Sequence, residues 1–301
     1  MLVNTSSPFE PSGSTSPAVS YTHLLSANFA RMKKSKVFWV CLLFMIGLGI
    51  FMVAGSYISA KEYGGDAFIE NTLLTYTTII GMVIAVFCSL FVGTEYNDGT
   101  IRNKLIVGHT RVNVYLANLI TCCTASVIFT LGYIAVHLAL GLPLLGGFTI
   151  GLDTVALNVL TSLATGIAMA SIFTTIAMLN QNRAVVAVVC LVGFLVMLFA
   201  ASYIQAKLSQ PEMWEAYSYT EEDDMGNTTI IEVPAEPNPM YPRGISRDIY
   251  EFLNDFIPTC QEFQYLGYGA YNLWQFALYS GIITLFCGAL GIVLFKRKNL
   301  K

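Results

Sequence analysis

GTEYNDGTIRNKLIVGHTRVNVYLAN, residues 93–118, is a polar and basic stretch set between two long apolar runs. Glu95 and Asp98 lead into a turn at Asn97-Asp98-Gly99. Thr100 is placed to cap a helix, because its side-chain oxygen can accept a free backbone N–H of the first turn. Ile101 and Leu105 fall one turn apart on a shared face, with Ile106 beside them, while Arg102, Asn103 and Lys104 take the remaining surface. Gly108 supplies the left-handed residue that stops a helix, and Thr110 then caps the next one. The spacing predicts a two-turn helix over 100–107, about 12 Å long at about 1.5 Å per residue, held between two membrane spans. On the residues alone this is either a tight, positively charged turn or an element that another protein grips.

The rest of the chain reads as membrane protein. Of its 301 residues 55% are hydrophobic and 12% charged, with a mean hydropathy of +0.61. Soluble domains carry about 25% charged residues. Six apolar runs, at about 37–58, 71–93, 112–140, 153–178, 184–205 and 273–295, each reach the ~20 residues needed to cross ~30 Å of hydrocarbon. The expected architecture is all-α: a polytopic bundle of six spans. The net charge of −3 conceals a segregation of sign that speaks to topology and gives no reason to expect a nucleic acid. With both termini in the cytoplasm, twelve lysines and arginines fall on inner segments against four outside. Two of those four, Arg243 and Arg247, lie in a long loop that the positive-inside rule discounts.

Residues 1–20, rich in Ser, Pro and Thr, read as a disordered cytoplasmic tail, and not as a signal peptide, since the apolar run begins only at Val37. In 21–36 the residues Leu24, Leu25, Asn28, Phe29 and Met32 follow helical spacing, with Arg31, Lys33, Lys34 and Lys36 clustered at the end. That pattern suits an interfacial amphipathic helix, or a simple basic flank. The polar connector Asn180-Gln181-Asn182-Arg183 suits an antiparallel helical hairpin. A long outer loop, 206–272, opens on the acidic Glu221-Glu222-Asp223-Asp224 and runs through a Pro-rich segment, 234–244, expected to resist regular structure. It then places Ile249, Phe252, Leu253, Phe256 and Ile257 on one face of a short helix that stops before Pro258. An aromatic patch including Tyr265 and Tyr268 follows, of a kind that belongs at a membrane–water boundary. A short basic tail, 296–301, closes the sequence.

Several chemistries find no support. There is no GxxxxGK[ST], HExxH or GxSxG, and no His/Cys cluster at metal-ligand spacing. All seven cysteines but Cys260 fall inside apolar runs, which suits small apolar packing and leaves no partner for a disulfide in the outer loop. His137 lies inside the third span and reads best as a packed or interfacial residue. Glu70, Glu95 and Asp153 sit only at span edges. An ion-coupled carrier would bury a charged group mid-membrane, so the driving energy is expected from another subunit. The small residues Ala164, Gly166, Ala168 and Ala170 suit either close packing within the chain or a dimer seam.

The motif Glu95-Tyr96-x-x-Gly99-Thr100-Ile101-Arg102-Asn103-Lys104-Leu105, followed by Gly108 and Arg111, resembles the first cytoplasmic loop of type-2 ABC transporter permeases. The span count, the segment before the first span and the placing of the long outer loop extend that resemblance over most of the chain. It implies the six-span subunit of an ABC exporter, with 21–36 as an elbow helix and 100–107 as a coupling helix. In it Glu95, Asp98, Gly99, Thr100, Ile101, Arg102, Lys104, Leu105, Gly108 and Arg111 would serve coupling to the ATPase, with a Glu95–Arg102 pair fixing the loop. Phe252, Leu253, Phe256, Ile257, Tyr265 and Tyr268 would form an outer gate or interface. The implied partners are ABC ATPase subunits, a second permease copy or a related permease, and membrane lipid. This chain would bind no cofactor or metal and would not itself be an enzyme, since ATP and Mg would sit on the partner. The implied location is the plasma membrane. A non-transporting membrane scaffold or sensor with a ligand-binding outer loop is the alternative.

Overall fold

The computed structural model describes residues 17–222, 228–266, 268 and 272–299. Six helical segments are long and apolar enough to cross a membrane. They are α2 (Lys36–Tyr63), the pair α3 (Glu70–Leu73) and α4 (Thr77–Asn97), α6 (Arg111–Leu145), α7 (Leu152–Leu179), α8 (Arg183–Leu208) and α11 (Leu273–Arg297). Before them lies α1 (Pro17–Lys34), and between α4 and α6 lies α5 (Thr100–Ile106). The long loop after α8 holds four short strands, β1 (Met213–Trp214), β2 (Tyr217–Glu222), β3 (Thr228–Val233) and β4 (Glu236–Pro237), then α9 (Ile245–Phe256) and α10 (Pro258–Tyr265).

The centre of the bundle is α4 and α7. Of their most apolar windows 67% and 56% is buried within the chain, against 28%, 22% and 28% for α2, α8 and α11. The last three therefore turn most of their apolar surface outward, as a helix facing lipid does. Between α2, α4 and α6 the core is aromatic. Phe87 stacks on Phe91 at 5.1 Å and meets Phe129 edge-on at 5.4 Å, and Phe38 closes the group on Phe129 at 5.5 Å. Such pairs contribute about 0.5–1.5 kcal/mol each beyond the area they bury. His137 is fully buried, stacked on Tyr133 at 5.4 Å and hydrogen-bonded at 3.3 Å to the carbonyl of Ile69, so it is a packed residue.

Lipid is as apolar as leucine, so helices in a membrane gain by approaching closely and by sharing polar contacts. Gly166 of α7 meets the Ser126 hydroxyl of α6, and Ala168 and Ala170 are buried inside the chain. The small residues of the fourth span thus serve packing within the chain. At Gly291 the bare backbone of α11 lies against the Tyr115 ring, whose hydroxyl bonds Thr175 Oγ1 at 2.8 Å and the Cys287 carbonyl at 3.2 Å. That single contact joins α6, α7 and α11.

Several local expectations change. Residues 17–20 are helical, so α1 starts before 21; residues 1–16 lie outside the described residues. The Pro-rich 234–244 does hold regular structure, since Glu236–Pro237 pairs antiparallel with Met213–Trp214 and Pro237 sits at the edge of a two-stranded ladder. The strands β2 and β3 form an antiparallel hairpin from Tyr217↔Val233 to Glu222↔Thr228. Asp223 and Asp224 of the acidic run lie outside the described residues. The connector before α8 is short because Asn182 caps it, its Oδ1 accepting from the N–H groups of Ala184 and Val185 at 3.0 and 3.3 Å.

A Cβ at Gly291 would collide with Tyr115, whereas one at Gly281 on the same helix meets open space. Gly291→Ala is expected to destabilise the detergent-solubilised protein by about 1–3 kcal/mol in thermal unfolding, and Gly281→Ala to leave the midpoint unchanged.

Candidate functional site

The segment between α4 and α6 folds as the sequence suggests, with altered details. Gly99, at φ 66°, is the cap residue of α5, and Thr100 is its first helical residue with no capping bond from its side chain. The chain turns back sharply after Asp98, and that left-handed turn leaves the Gly99 position to glycine. Gly108, at φ 102°, ends the element. Thr110 caps α6, accepting from the Asn113 N–H at 3.2 Å.

Only one side of α5 is anchored. Ile101 is buried and Leu105 partly buried, whereas Ile106 is 73% exposed and Val107 78% exposed. Ile106 does not share the buried face, because it lies about 100° around the helix from Leu105. Arg102 and Asn103 are exposed as well. The free surface of the turn is thus a pair of apolar side chains next to a cation.

The expected Glu95–Arg102 pair is absent. Glu95 is fully buried at the end of α4, and its partners come from three other elements. Arg31 of α1 reaches Oε1 at 3.0 Å, Lys104 of α5 binds the same oxygen, and Asn118 of α6 donates to Oε2 at 2.7 Å. Asn28 of α1 completes the group: its Oδ1 accepts from Lys104 Nζ at 2.8 Å and its Nδ2 donates to Asn118 Oδ1 at 3.3 Å. The Arg31 guanidinium also lies 3.8 Å over the Phe91 ring. One buried carboxylate therefore ties α1, α4, α5 and α6 together. Burial pushes Arg31 and Lys104 below their ordinary pKa values, while Glu95 beside them acts in the opposite direction.

A second polar group lies near the same end. Arg111 donates to the carbonyls of Phe295 at 3.1 Å and Lys296 at 3.2 Å, and to that of Lys298, so it caps the last turn of α11. Arg111 thus clasps α11. Lys298 in turn donates to Tyr96 Oη at 2.8 Å and to the Met178 carbonyl at 3.0 Å, with Nζ 4.1 Å from the Tyr96 ring centroid. Asp98 is exposed at the end of α4 and sits outside both groups.

At the opposite end α9 and α10 pack on the bundle. Phe252 and Phe256 stack at 5.4 Å and meet Tyr279 of α11 edge-on at 6.1 and 5.6 Å. Leu253 and Ile257 pack on a small core of Ala201, Ile204 and Cys260. Tyr265 is fully buried, its hydroxyl 3.0 Å from Thr165 Oγ1. Tyr268 is partly buried with φ 51°. The residues read from the sequence thus fall in separate groups, Phe252 and Phe256 on Tyr279, Leu253 and Ile257 on the small core, and Tyr265 against Phe276 at 5.7 Å in the main core. The polar half of α10 is missing from that reading: Thr259, Gln261 and Glu262 are all buried. A helix this polar gives no sequence signal of burial.

Six long apolar helices, with a polar hub and a short exposed helix at one end, define a polytopic membrane protein. The chain belongs to the ABC-2 transporter family: the family pattern described as ABC-2 family transporter protein matches residues 24–201, from α1 to the last third of α8. The whole Glu95 network lies within that stretch, and α9, α10 and α11 lie beyond it. Among curated proteins none matches the chain.

Removing Glu95 would leave two cations against a buried site. Glu95→Ala is expected to lower stability by about 3–5 kcal/mol, and adding Lys104→Met to recover part of it, both read by thermal unfolding in detergent. Burial lowers the Lys298 pKa from 10.5 to about 8. The unfolded chain then binds more protons between those values, so stability rises with pH across that window. Lys298→Met is expected to flatten that rise in unfolding midpoints measured from pH 7.5 to 10.

Proposed function

We propose that this permease is the translocating subunit of an ATP-driven exporter and that a separate ABC ATPase docks on α5. The observation that carries this reading is the asymmetry of α5. Its inner side is fixed by Ile101 and by the Lys104–Glu95 pair, while Ile106, Val107 and Arg102 are left exposed beside it. An apolar pair next to a cation suits a groove on another protein, where aliphatic anchors fill the pocket and charge sets the register. The hub makes the dock useful. A push on α5 is passed through Lys104 to Glu95 and from there to α1, α4 and α6 at once.

The orientation follows from the segregated basic residues, with α5, α1 and the end of α11 in the cytoplasm and α9–α10 outside. The broad outward apolar faces of α2, α8 and α11 would meet lipid or a second permease subunit. ATP and Mg would be held by the ATPase. The segment α9–α10 would then cover the exit end of the path, with Phe252, Leu253, Phe256, Ile257, Tyr265 and Tyr268 as its apolar contacts.

The dock is tested by the exposed pair. Ile106→Asp with Val107→Asp is expected to remove the co-purifying ATPase from detergent extracts of native membranes by at least about tenfold, with the unfolding midpoint unchanged. Arg102→Glu is expected to weaken the complex in the same direction. Undiminished co-purification of the ATPase with the double variant would overturn the docking assignment. Isolation of the native chain without any ATPase would favour the scaffold or sensor reading.

A further inference from the structure

The helix α10 enters the bundle rather than resting on it. Thr259 Oγ1 donates to the Met197 carbonyl of α8 at 2.9 Å, about eleven residues before that helix ends. Gln261 Oε1 accepts from Thr165 of α7 at 2.8 Å and from Ser280 of α11 at 3.1 Å. At about 1.5 Å per residue these contacts lie roughly 10–16 Å in from the ends of α8 and α11.

Nearly all the polar side chains of this helix have partners. Besides Thr259 and Gln261 Oε1, Gln261 Nε2 donates to the Asp255 carbonyl at 2.7 Å, Gln264 Nε2 donates to the Asn254 carbonyl at 2.8 Å, and the Tyr265 hydroxyl is 3.0 Å from Thr165 Oγ1. Glu262 is different. It is 1% exposed, and among the described residues neither carboxyl oxygen has a hydrogen-bond partner. Its backbone carbonyl, by contrast, accepts from Thr77 Oγ1 of α4 at 3.0 Å, which holds the residue in place.

No cation among the described residues pairs with this carboxyl. Among the described residues the ion pairs are Arg31–Glu95, Lys104–Glu95 and Arg247–Glu251. On α10 itself the ionisable neighbours are Cys260 and Tyr265. On α9 it is Asp255, another acid. From α4 it is Tyr76, bonded to Ser162 at 2.6 Å. On α7 the sole ionisable residue is Asp153, exposed at the start of the helix. On α8 Lys207 lies over the Tyr203 ring, and on α11 Tyr279 belongs to the Phe252–Phe256 cluster. A carboxylate without a counter-charge cannot be held in such a place, and the group takes a proton instead. Burial accordingly pushes the Glu262 carboxyl well above the ordinary carboxylate range.

We propose that Glu262 is a proton-binding site that latches α10 into the bundle: the helix is seated while the carboxyl is the neutral acid, and loss of its proton drives the segment out toward water. The step is a simple dissociation, with the proton passing to solvent as the carboxylate is hydrated. Low pH therefore keeps the α9–α10 end closed and high pH opens it. The inference depends on neither the ATPase dock nor the membrane orientation.

The chain carries its own reporter. Cys260 is a buried free thiol two residues from Glu262, and the other six cysteines all lie in spanning helices. Wild type and Glu262→Gln are reconstituted in nanodiscs, and Cys260 is labelled with a membrane-impermeant maleimide from pH 5.5 to 9, with Cys260→Ser defining the background. The glutamine stays neutral, and because the Glu262 charge also raises the Cys260 thiol, each rate is divided by that variant's rate in denaturant at the same pH before the ratio is taken. Since the hydrated carboxyl of the open form ionises at about 4.3, the ratio is expected to exceed one already at pH 5.5 and to climb with pH, by about tenfold per unit while the open form alone is ionised. A ratio that stays flat, or a Cys260 that never labels in wild type, overturns the proposal. Should Glu262→Gln fail to yield folded protein, Glu262→Met provides the same neutral reference.

Discussion

The structure depends on one buried carboxylate. Glu95 brings a charge into the bundle that would be too costly alone, and it is tolerated because Arg31, Lys104 and Asn118 converge on it from three directions. The geometry is reciprocal. Each partner is itself held by another member of the group, so none of α1, α4, α5 and α6 can shift without stranding a charge. Apolar packing tolerates sliding, whereas a paired buried charge specifies one arrangement. This is why a seven-residue helix, too short to be stable alone, can have a fixed position between two spans.

Much of this fold was legible in the sequence. Apolar runs separated by polar connectors mark the spans, and local cap chemistry at Thr110 acts over two or three residues. What escaped was long-range pairing. Arg31 and Arg102 are equally good partners for Glu95 by residue type, and Arg102 is nearer in sequence, but the carboxylate faces α1 across the bundle. Asn28 falls in the same helical register as Leu24 and Met32 and so looks like part of an apolar face. It is buried with them, as a hydrogen-bonding residue. At Gly99 and Thr100 either residue suits a cap, and the sharp reversal after Asp98 gives that place to the glycine.

The two ends of the bundle handle polarity differently. At the α5 end charge is abundant and neutralised by partners. At the α9–α10 end the buried polar groups are mostly hydroxyls and amides, bonded to one another and to backbone carbonyls, with one acid left over. A paired charge gives rigidity, and an unpaired titratable group gives a position whose occupancy depends on conditions. The bundle thus has one end held rigid by paired charge and one end whose seating can vary.

The clasp at the far terminus has a consequence for how the protein is made. Arg111, Tyr96 and the Met178 carbonyl all find partners on residues 295–298, which are synthesised after the helices that carry them. Until α11 is inserted, Tyr115 has lost its contact at Gly291 and the ends of three earlier helices remain unsatisfied. The nascent protein therefore carries unsatisfied groups on its earlier helices until α11 is in place. A chain stalled or clipped before α11 would leave those polar groups without the partners that this helix supplies.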